Sequence, residues 1–406
     1  MMKQVKALLI LFGLCGALSA QALTSTNVLP EGINSPSFRF GKIDGIDEKY
    51  IEDGTLMKLG DYKSVVFDAP TLAKFNSDAK RLIDALNSFG AHNLGSDFNL
   101  GVLRVHTKPT VQYFAPVFAR GLTKKWTLGL GLPVVTYKNT VSISQQFSNI
   151  EYYRAQFSGL SAELDSALNT NLAVATQQTL KQKGYRPLTN QDETFLGDVQ
   201  LASVYKFYED NRQAIVYQAQ LSLPTGPTYD PDNLAALNIF GRTNINNTIA
   251  YSRKMGKSFT LVPYLSYIYN VPDKITARVP LDEDDTLPDQ ASKEEVDRSL
   301  GDTTSLGSNL FYELNDSWTF GGGYEYSTKF EDSFSGAKNS RYDLLALNTE
   351  MRAQRVKAEV SYSSVKSYFK KTAVLPMIVS LEVSDVIAGV NVERQLVQEL
   401  NLMMFF

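Results

Sequence analysis

Apolar and polar residues alternate with a period of two over most of the last three quarters of the chain. One face of an extended segment carries Trp318, Phe320, Tyr324 and Tyr326, while polar or small residues occupy the other face. Successive side chains of a β-strand point to opposite faces, so this period predicts strands with one apolar and one polar face. Residues 199–223 repeat the pattern twice. A β-sandwich and a membrane β-barrel both use such strands.

Strand length, aromatic placement and turn length together favour the barrel. The alternating segments run for about 11–15 residues, whereas strands of globular proteins average about 5–6 and membrane-crossing strands need about 9–11. Aromatic residues gather towards the segment ends, and tight turns alternate with long connections, as in transmembrane barrels. The predicted strands are 98–119, 125–139, 195–209, 212–224, 241–254, 257–271, 302–315, 317–330, 340–352, 355–367, 373–386 and 395–406, and the predicted tight turns are 121–125, 209–212, 256–258, 315–317 and 352–355. We expect an all-β fold, a transmembrane antiparallel β-barrel of about 12–14 strands.

The alternating directions of these predicted strands do not bring both termini to the same side of the barrel. If every tight turn lies at one end of the barrel, the last strand finishes at the other end, whereas both termini of such barrels lie on the same side. One connection is therefore misassigned, and we place it between residues 368 and 395.

The N-terminus has the order of a secretory signal peptide. Lys3 and Lys6 precede an apolar run at residues 7–14, and small residues end at Ala22. The apolar run is too short to cross a membrane as a helix. We expect residues 1–22 to be removed and the mature chain to begin near Leu23.

Residues 23–97 lack the alternation and form a separate segment before the barrel at 98–406. Proline and glycine break the first part into turns, and apolar residues then recur at helical spacing over residues 71–89. The segment is either a plug in or under a pore or a helix packed on a globular body. A second helical stripe at residues 149–182 predicts a helical outer loop, which is either a stabilising cap or a lid over the barrel mouth.

Charge and cysteine content exclude several classes. The formal net charge of −3 becomes −5 once the two lysines of residues 1–22 are removed, so no basic face for nucleic acid is expected. The single cysteine, Cys15, lies in the removed segment, which leaves no disulfide and no thiolate metal site. After residue 22 no run of about 18 apolar residues predicts a transmembrane helix.

Catalytic and metal-binding motifs are missing from the sequence. The chain has no G-x-S-x-G elbow and no Walker phosphate loop, and His92 and His106 stand too far apart for a metal pair. The acidic run at residues 282–285 lacks the glycine and terminal glutamate of a calcium loop and is interpreted as a solvated loop. We expect no enzyme activity, no cofactor and no metal.

The polar face of the strands supplies the candidate functional residues. Inside a barrel these side chains would line the lumen and decide what passes, or would fill a closed interior with paired groups. The lumen-lining candidates are Asp198, Gln200, Lys206, Gln218, Gln220, Asn244, Asn246, Glu325, Glu350, Lys357 and Glu359.

Three fragments carry a resemblance to known families. The terminal strand, with Leu400, Leu402, Met404 and Phe406 on one face, resembles the C-terminal strand that targets bacterial outer-membrane barrels to their assembly machinery. Residues 195–199, F-L-G-D-V, and 223–226, L-P-T-G, resemble signatures of the outer-membrane family of meta-pathway phenol-degradation proteins, which is similar to long-chain fatty acid transporter barrels.

The resemblance implies a bacterial outer-membrane location and a channel for passive uptake of small hydrophobic or aromatic molecules. The implied partners are membrane lipid, lipopolysaccharide, a small hydrophobic solute and the barrel-assembly machinery, with no nucleic acid. The alternative function is a structural or adhesive surface barrel with a closed lumen.

Overall fold

Twelve antiparallel strands form a closed barrel in the part of the chain that the structure describes. The structure is a computed structural model and describes residues 23–62, 64–75, 77–88, 94–159, 165, 168–169, 171–283, 285–338 and 340–406. The expected signal peptide, His92 and the end of the helix expected at 71–89 lie outside these residues. The barrel strands are β1 (Asn34–Asp44), β2 (Asn99–Thr123), β3 (Trp126–Gly131 and Val134–Gln146), β4 (Gln191–Leu196 and Val199–Glu209), β5 (Gln213–Leu223), β6 (Asn244–Met255), β7 (Phe259–Asn270), β8 (Thr303–Glu313), β9 (Trp318–Lys329), β10 (Met351–Ser363), β11 (Met377–Val390) and β12 (Leu396–Met404).

Strand β1 closes the barrel. It pairs with β12 through Phe40 and Leu400 and with β2 through Phe40 and Phe114. The barrel therefore begins at Asn34 rather than at residue 98, and residues 34–44 are wall rather than part of a separate segment. With β1 included, the N-terminal side of β1 and the end of β12 lie together, because Asn34 and Phe406 exchange two backbone hydrogen bonds of 2.8 and 2.9 Å.

The sequence also predicts a strand at 340–352 and a tight turn at 352–355, and both predictions are wrong. Residues 351–363 form the single strand β10, and a short helix, Asp343–Ala346, precedes it. The register of β10 shifts between Gln354 and Arg355 at a bulge, which puts polar residues side by side and imitates a turn. The misassigned connection thus lies here, and not between residues 368 and 395.

The two ends of the barrel differ in the length of their connections. At the short-turn end, β2 to β3, β4 to β5, β6 to β7 and β8 to β9 are joined by tight turns, and β10 to β11 by a helical connection. At the long-loop end, the six longer connections carry the remaining helices, two small three-stranded sheets and one short strand that pairs with β2. These elements are the helices Leu59–Tyr62, Ala69–Phe75, Ser77–Ser88, Ile150–Phe157, Leu172–Gln182 and Gln290–Ser292, and the strands Glu48–Tyr50, Leu56–Lys58, Val65–Asp68, Asp273–Arg278, Lys293–Ser299, Ser333–Gly336 and Val392–Glu393; Val365–Phe369 is the helix at the short-turn end.

Helices from two loops form an apolar cap at the long-loop end. The helix expected over residues 71–89 is present as two helices of the β1–β2 loop, and they pack against the β3–β4 loop. The helical stripe expected at 149–182 contains Ile150–Phe157 and Leu172–Gln182. The cap buries Leu72, Leu86, Phe98, Tyr153 and Leu168. The helices of residues 23–97 therefore stand over the long-loop end and do not plug the opposite end.

The outer wall carries an apolar band between two aromatic belts. Large apolar side chains such as Ile249, Leu265 and Leu306 are exposed, as expected for side chains that face lipid. One belt, near the short turns, includes Trp126, Phe207, Phe259 and Trp318. The other lies six to ten residues further along β7 and β9 and includes Tyr267, Tyr269, Tyr324 and Tyr326. This arrangement suits a membrane of ordinary thickness, since ten strand residues at a tilt span about 25 Å.

Candidate functional site in the barrel lumen

A buried ion pair crosses the lumen face of the wall between β9 and β10. The Lys357 ammonium lies 3.2 Å from the Glu325 carboxylate, which also accepts a hydrogen bond of 2.6 Å from the Tyr264 hydroxyl of β7. Both charged side chains are almost inaccessible to solvent. A buried charge without its partner is costly, so these two predicted lumen residues fix one another.

Two inward tyrosines lie flat across glycines of the neighbouring strand. Tyr264 is paired in register with Gly307, and Tyr113 with Gly41. A Cβ added at Gly307 would lie 2.3 Å from Cζ of Tyr264, and one added at Gly41 would lie 2.0 Å from Cζ of Tyr113. The glycines therefore make room for the rings, which carry the two hydroxyls across the wall to carboxylates. Tyr113 donates its hydrogen bond of 2.5 Å to Glu399.

Three carboxylates form a row across adjacent strands. Glu359 of β10 is opposite Glu382 of β11, which is opposite Glu399 of β12. Side chains opposite one another on antiparallel strands lie about 5 Å apart, and like charges at that distance repel. The row points into the lumen, because the residues on either side of Glu382 and Glu399 along the strands, such as Leu381, Val383 and Leu400, are exposed on the outer wall.

The segment before β1 runs through the lumen from this row to the short-turn rim. Leu23 and Thr24 are each 4% exposed. The segment is held by five hydrogen bonds to inward side chains of five strands: Leu23 N–H to Glu382 Oε2 (2.8 Å), Asn309 Nδ2 to Thr24 O (3.1 Å), Gln218 Nε2 to Ser25 O (3.0 Å), Thr26 Oγ1 to Ser252 Oγ (2.8 Å) and Leu29 N–H to Thr127 Oγ1 (2.8 Å). We call residues 23–29 the lumen segment.

An apolar cluster fills the lumen above the lumen segment, towards the long loops. Inward side chains of the wall meet Leu237 and Phe240 of the β5–β6 loop, which folds into the barrel. The wall residues of this inner apolar cluster are Ile43, Val111, Val135, Tyr137 and Val397. The Tyr137 hydroxyl donates a hydrogen bond of 2.8 Å to Ala235 O, which anchors the loop to the wall at β3. The lumen therefore contains a buried apolar cluster between polar ends.

Asp198 fastens the β5–β6 loop in this inward position. Its Oδ1 accepts backbone hydrogen bonds from Gly226 (2.8 Å) and Gly241 (3.0 Å), and its Oδ2 accepts one from Arg242 (3.5 Å). Thr225 Oγ1 accepts from Val199 N–H at 2.9 Å. A Cβ at Gly226 would lie 2.8 Å from Cβ of Phe240. The two sequence fragments G-D and L-P-T-G are thus the two halves of one loop fastening.

The loop also covers a break in the wall. The outer half of β4, Gln191–Leu196, pairs with β3, while β5 ends at Leu223 opposite Val199. Above that level the free edge of β4 faces residues of the inward loop, and Phe195 of β4 contacts Phe240 at 5.2 Å between ring centroids. Displacing the loop would join the inner apolar cluster to the lipid side of the wall.

Outer loops are clamped together by a second charged group. Arg278 lies 3.8 Å from the centroid of the Tyr185 ring and donates to Asp232 at 2.7 Å, and Lys293 donates to the same carboxylate at 2.5 Å. Burial by itself raises the pKa of the Asp232 carboxyl, but its hydrogen bonds with Lys293 and Arg278 outweigh burial and hold the pKa below its ordinary value of 3.8.

The remaining predicted residues lie along β4, β5 and β6, apart from Glu350. Lys206 pairs with Glu209 at 2.7 Å near the short turns, and Asn246 accepts from Ser266 at 2.7 Å. Gln200, Gln220 and Asn244 are partly buried along β4, β5 and β6. Glu350 lies exposed beyond the start of β10, where it accepts from Asn391 at 3.2 Å.

Several residues of the site escaped the sequence reasoning. Glu382 and Glu399 were not among the candidates, although the outward exposure of Leu381 beside the first and of Leu400 beside the second assigns both carboxylates to the inner face. Tyr113 and Asn309 were missed as well. Alternation along β11 and β12 could have identified the two glutamates. The sequence offers a plug only as one alternative for residues 23–97 as a whole and does not single out residues 23–29.

Neither a metal cluster nor a membrane-spanning helix occurs among the described residues. Among the described residues, no group of three or more His, Cys, Asp or Glu side chains is arranged to hold a metal ion. None of the described helices is long and apolar enough to cross a membrane. His106 lies within β2.

The fold is similar to that of a solved outer-membrane channel. The crystal structure of the COG4313 outer membrane channel from Pseudomonas putida F1 superimposes with a TM-score of 0.53 at 12% identity, covering 94% of this chain and 98% of the other. The toluene transporter TbuX of Ralstonia pickettii and the monoaromatic hydrocarbon channel CymD each match with a TM-score of 0.35 at 10% identity, covering 93% of this chain and 90% and 89% of theirs, which is too weak to carry an argument. No family model and no curated protein matches the sequence.

The closed barrel and its similarity to the solved outer-membrane channel together define the fold class. The chain is an all-β protein with a closed twelve-strand antiparallel barrel of the kind found in outer-membrane channels. Twelve strands fall within the predicted range of 12–14, and the prediction of fold class is confirmed.

Proposed function

We propose that the protein is an outer-membrane channel for the passive uptake of small hydrophobic or aromatic molecules. The inner apolar cluster carries the proposal. A lumen that served only ions and hydrophilic solutes would be lined by charged and hydrogen-bonding groups along its length. Here Val111, Val135, Tyr137 and Phe240 form an apolar cluster inside the wall, and apolar ligands could occupy this region once the loop that carries Phe240 is displaced.

The route has two closures. Above, the loop fastened by Asp198 covers both the inner apolar cluster and the break beside β4, so its displacement admits a solute from the mouth or through the lateral gap. Below, the lumen segment lies across the exit towards the short turns. Transport by this route needs no covalent chemistry, since the solute moves down its concentration gradient.

The orientation follows from the two ends. Short turns face the periplasm and long loops face outwards in barrels of the outer membrane, which puts the helical cap among lipopolysaccharide. The apolar band then contacts membrane lipid. The barrel-assembly machinery would recognise strand β12 through the outward residues Leu400, Leu402 and Met404 of that strand. The motif resemblance to phenol-degradation barrels agrees with this solute class and stays a prediction.

Uptake of a fluorescent apolar probe by whole cells tests the proposal. Lipopolysaccharide slows the entry of 1-N-phenylnaphthylamine, which fluoresces once it reaches the inner leaflets. Cells that express the protein should take up the probe several times faster than cells without it. Val135→Asp, which puts a charge into the inner apolar cluster from the wall and not from the loop, should abolish the gain, because burying an unpaired charge is costly.

A matched control guards against damage to the fold. Phe369 is 78% exposed at the short-turn end, so Phe369→Asp should leave uptake unchanged. Each variant is compared only if it keeps heat-modifiable migration on a gel, which reports a closed barrel. Equal uptake with and without the protein, or equal uptake by the two variants, contradicts the proposal.

A structural barrel with a shut lumen is the second candidate, and the buried lumen segment favours it. Planar-bilayer recordings separate the two functions. A shut barrel gives no channel events in the intact protein or after deletion of residues 23–29, whereas a gated channel gives events whose frequency rises with the deletion.

A further inference from the structure

A main-chain nitrogen, that of Leu23, donates a hydrogen bond to the row of three carboxylates. Glu359, Glu382 and Glu399 stand side by side on the lumen face, and the nitrogen of Leu23 donates to Glu382 Oε2 at 2.8 Å. Two cationic side chains stand near the row: Lys357 of β10, which is paired with Glu325, and Arg39 of β1, which lies opposite Asn401, two residues along β12 from Glu399. Like charges opposite one another destabilise a sheet, so three adjacent carboxylates favour further positive charge, and the group that donates to Glu382 is a main-chain nitrogen.

The Leu23 side chain also fits between two glycines of β9, and we call these glycines, together with Asn309 and Glu382, the seat of Leu23. A Cβ at Gly321 would lie 2.5 Å from Leu23 Cδ1, and one at Gly323 would lie 2.9 Å from Leu23 Cδ2. Two inward glycines of β9 therefore form a notch that the leucine fills.

A buried amide completes the seat. Asn309 is fully buried and donates to Thr24 O at 3.1 Å. Its Oδ1 finds no hydrogen-bond partner among the described residues, and it points to the notch, 2.3 Å from a Cβ built at Gly323. Buried polar atoms are rarely left unsatisfied. This unused acceptor lies beside the residue whose nitrogen donates to Glu382, and an ammonium on that residue would bring two further N–H donors.

We infer that the lumen contains a binding site for a primary ammonium, and that its ligand is the protein's own mature N-terminus at Leu23. Hydrolysis of the bond between Ala22 and Leu23 adds hydroxyl to the Ala22 carbonyl carbon and hydrogen to the Leu23 nitrogen, which then takes up a proton. A single N–H donor becomes an ammonium with three donors and a positive charge. Charge-assisted hydrogen bonds are about twice as strong as neutral ones, so removal of residues 1–22 creates the group that the row binds.

The inference goes beyond the proposed function and does not depend on it. It makes signal-peptide removal the event that seats the lumen segment, because the cation does not exist before cleavage. A barrel that transports nothing could still hold its N-terminus in this way. A test that measures the N-terminus rather than transport therefore distinguishes the failure of one idea from the failure of the other.

Acylation of the N-terminal amine in the folded protein is the test. The mature protein is purified from membranes in detergent, treated at neutral pH with an amine-acylating reagent, quenched, unfolded and digested with trypsin. The tryptic peptide of residues 23–39 contains no lysine, so acylation of its amine reports the α-amino group alone. The mass of the same peptide shows whether the chain begins at Leu23.

Protection should depend on the seat. In the folded wild type the peptide should be acylated at least about tenfold more slowly than in unfolded protein, which is the loss expected for one charge-assisted bond. Glu382→Gln and Gly321→Ala should each restore most of the rate, the first by removing the charge and the second by filling the notch. Glu52→Gln, on the exposed surface of an outer loop, and Gly322→Ala, on the outer face of β9, are the matched controls and should behave as wild type.

Each outcome decides the matter. Slow acylation in wild type and controls with fast acylation in both seat variants, all with heat-modifiable migration, supports the site. An N-terminus other than Leu23, equal rates in folded and unfolded wild type, or protection that survives in Glu382→Gln and Gly321→Ala overturns it.

Discussion

Removal of the Asp198 carboxylate should release the β5–β6 loop from the lumen. The carboxylate is 7% exposed and accepts the backbone N–H groups of Gly226, Gly241 and Arg242. In Asp198→Ala these donors lose their acceptor, while Asp198→Asn keeps one neutral oxygen. The barrel ladder is untouched in both variants, so the effect should be confined to the loop.

The magnitude follows from the lengths of the bonds. Two of them, at 2.8 and 3.0 Å, are of full strength, and the third, at 3.5 Å, adds little. A hydrogen bond to a charged acceptor contributes about 1.5–3 kcal/mol, and water in the opened lumen replaces part of it. We take about 1.5 kcal/mol for each strong bond, which gives about 3 kcal/mol for Asp198→Ala. The open loop then becomes about 150 times more populated. For Asp198→Asn we expect roughly half the energy and about a tenfold increase.

The rate of tryptic cleavage after Arg242 reports the population of the open loop. The arginine is 6% exposed and donates to Ile239 O and Asn238 O, so cleavage after it requires the loop to open. When opening is faster than cleavage, the rate follows the open population. Cleavage after the exposed Arg341 serves as the internal reference. The rates should rise in the order wild type, Asp198→Asn, Asp198→Ala, and Asp192→Asn on the outer face of β4 should match wild type. Equal cleavage at Arg242 in wild type and Asp198→Ala would refute the reasoning.

Three further predictions concern the wall and the outer loops. Gly307→Ala should lower stability by about 1–3 kcal/mol, because its Cβ would clash with the stacked tyrosine ring, whereas Gly322→Ala, which meets a single atom at 4.0 Å, should be neutral in the midpoint of heat-modifiable migration. Lys357→Met should cost about 3 kcal/mol by the same assay through a buried unpaired carboxylate, and adding Glu325→Leu should recover most of the loss; no recovery would contradict the pairing. The folded state lowers the pKa of Asp232 below 3.8, so its contribution is complete above that pH and is lost as pH falls through the folded value. Hydrogen exchange in the outer loops, corrected for intrinsic rates, should therefore accelerate below pH 3.8 in wild type and lose that step in Asp232→Asn.

The sequence predicts the barrel wherever lipid imposes a strict alternation, and it fails where the wall is adapted to the interior. Strand β1 was missed because Pro36 and Gly41 interrupt it and because Ser35, Ser37 and Arg39 make its inner face polar. These residues pair with β2 and β12 from opposite ends of the chain. No local pattern reports such pairing. The bulge in β10, by contrast, is a local feature. It is an irregularity inside a continuous strand, and the polar residues around it resemble those of a turn.

The candidate site shows a similar division between local and distant information. Alternation predicts that Glu325 and Lys357 lie on the polar face, but their contact depends on the register between β9 and β10. The fastening role of Asp198 depends on glycines 28 and 43 residues further along the chain. The sequence thus supplies the inner-facing side chains, and the topology decides which of them meet.

The two closures of the lumen differ in physical character, and this difference determines how each can be opened. The β5–β6 loop is held by backbone donors on one carboxylate and by apolar packing of Leu237 and Phe240, so a bulky apolar solute can compete for the packing without altering any charge. The lumen segment is held by five separate hydrogen bonds to five strands, and an apolar solute offers none of them a replacement. A solute can therefore displace the loop through its own binding energy, whereas the lumen segment yields when the seat of Leu23 is weakened. Uptake of an apolar molecule through this barrel should accordingly be limited at the exit, and substitutions at Glu382 should accelerate it more than substitutions at Asp198.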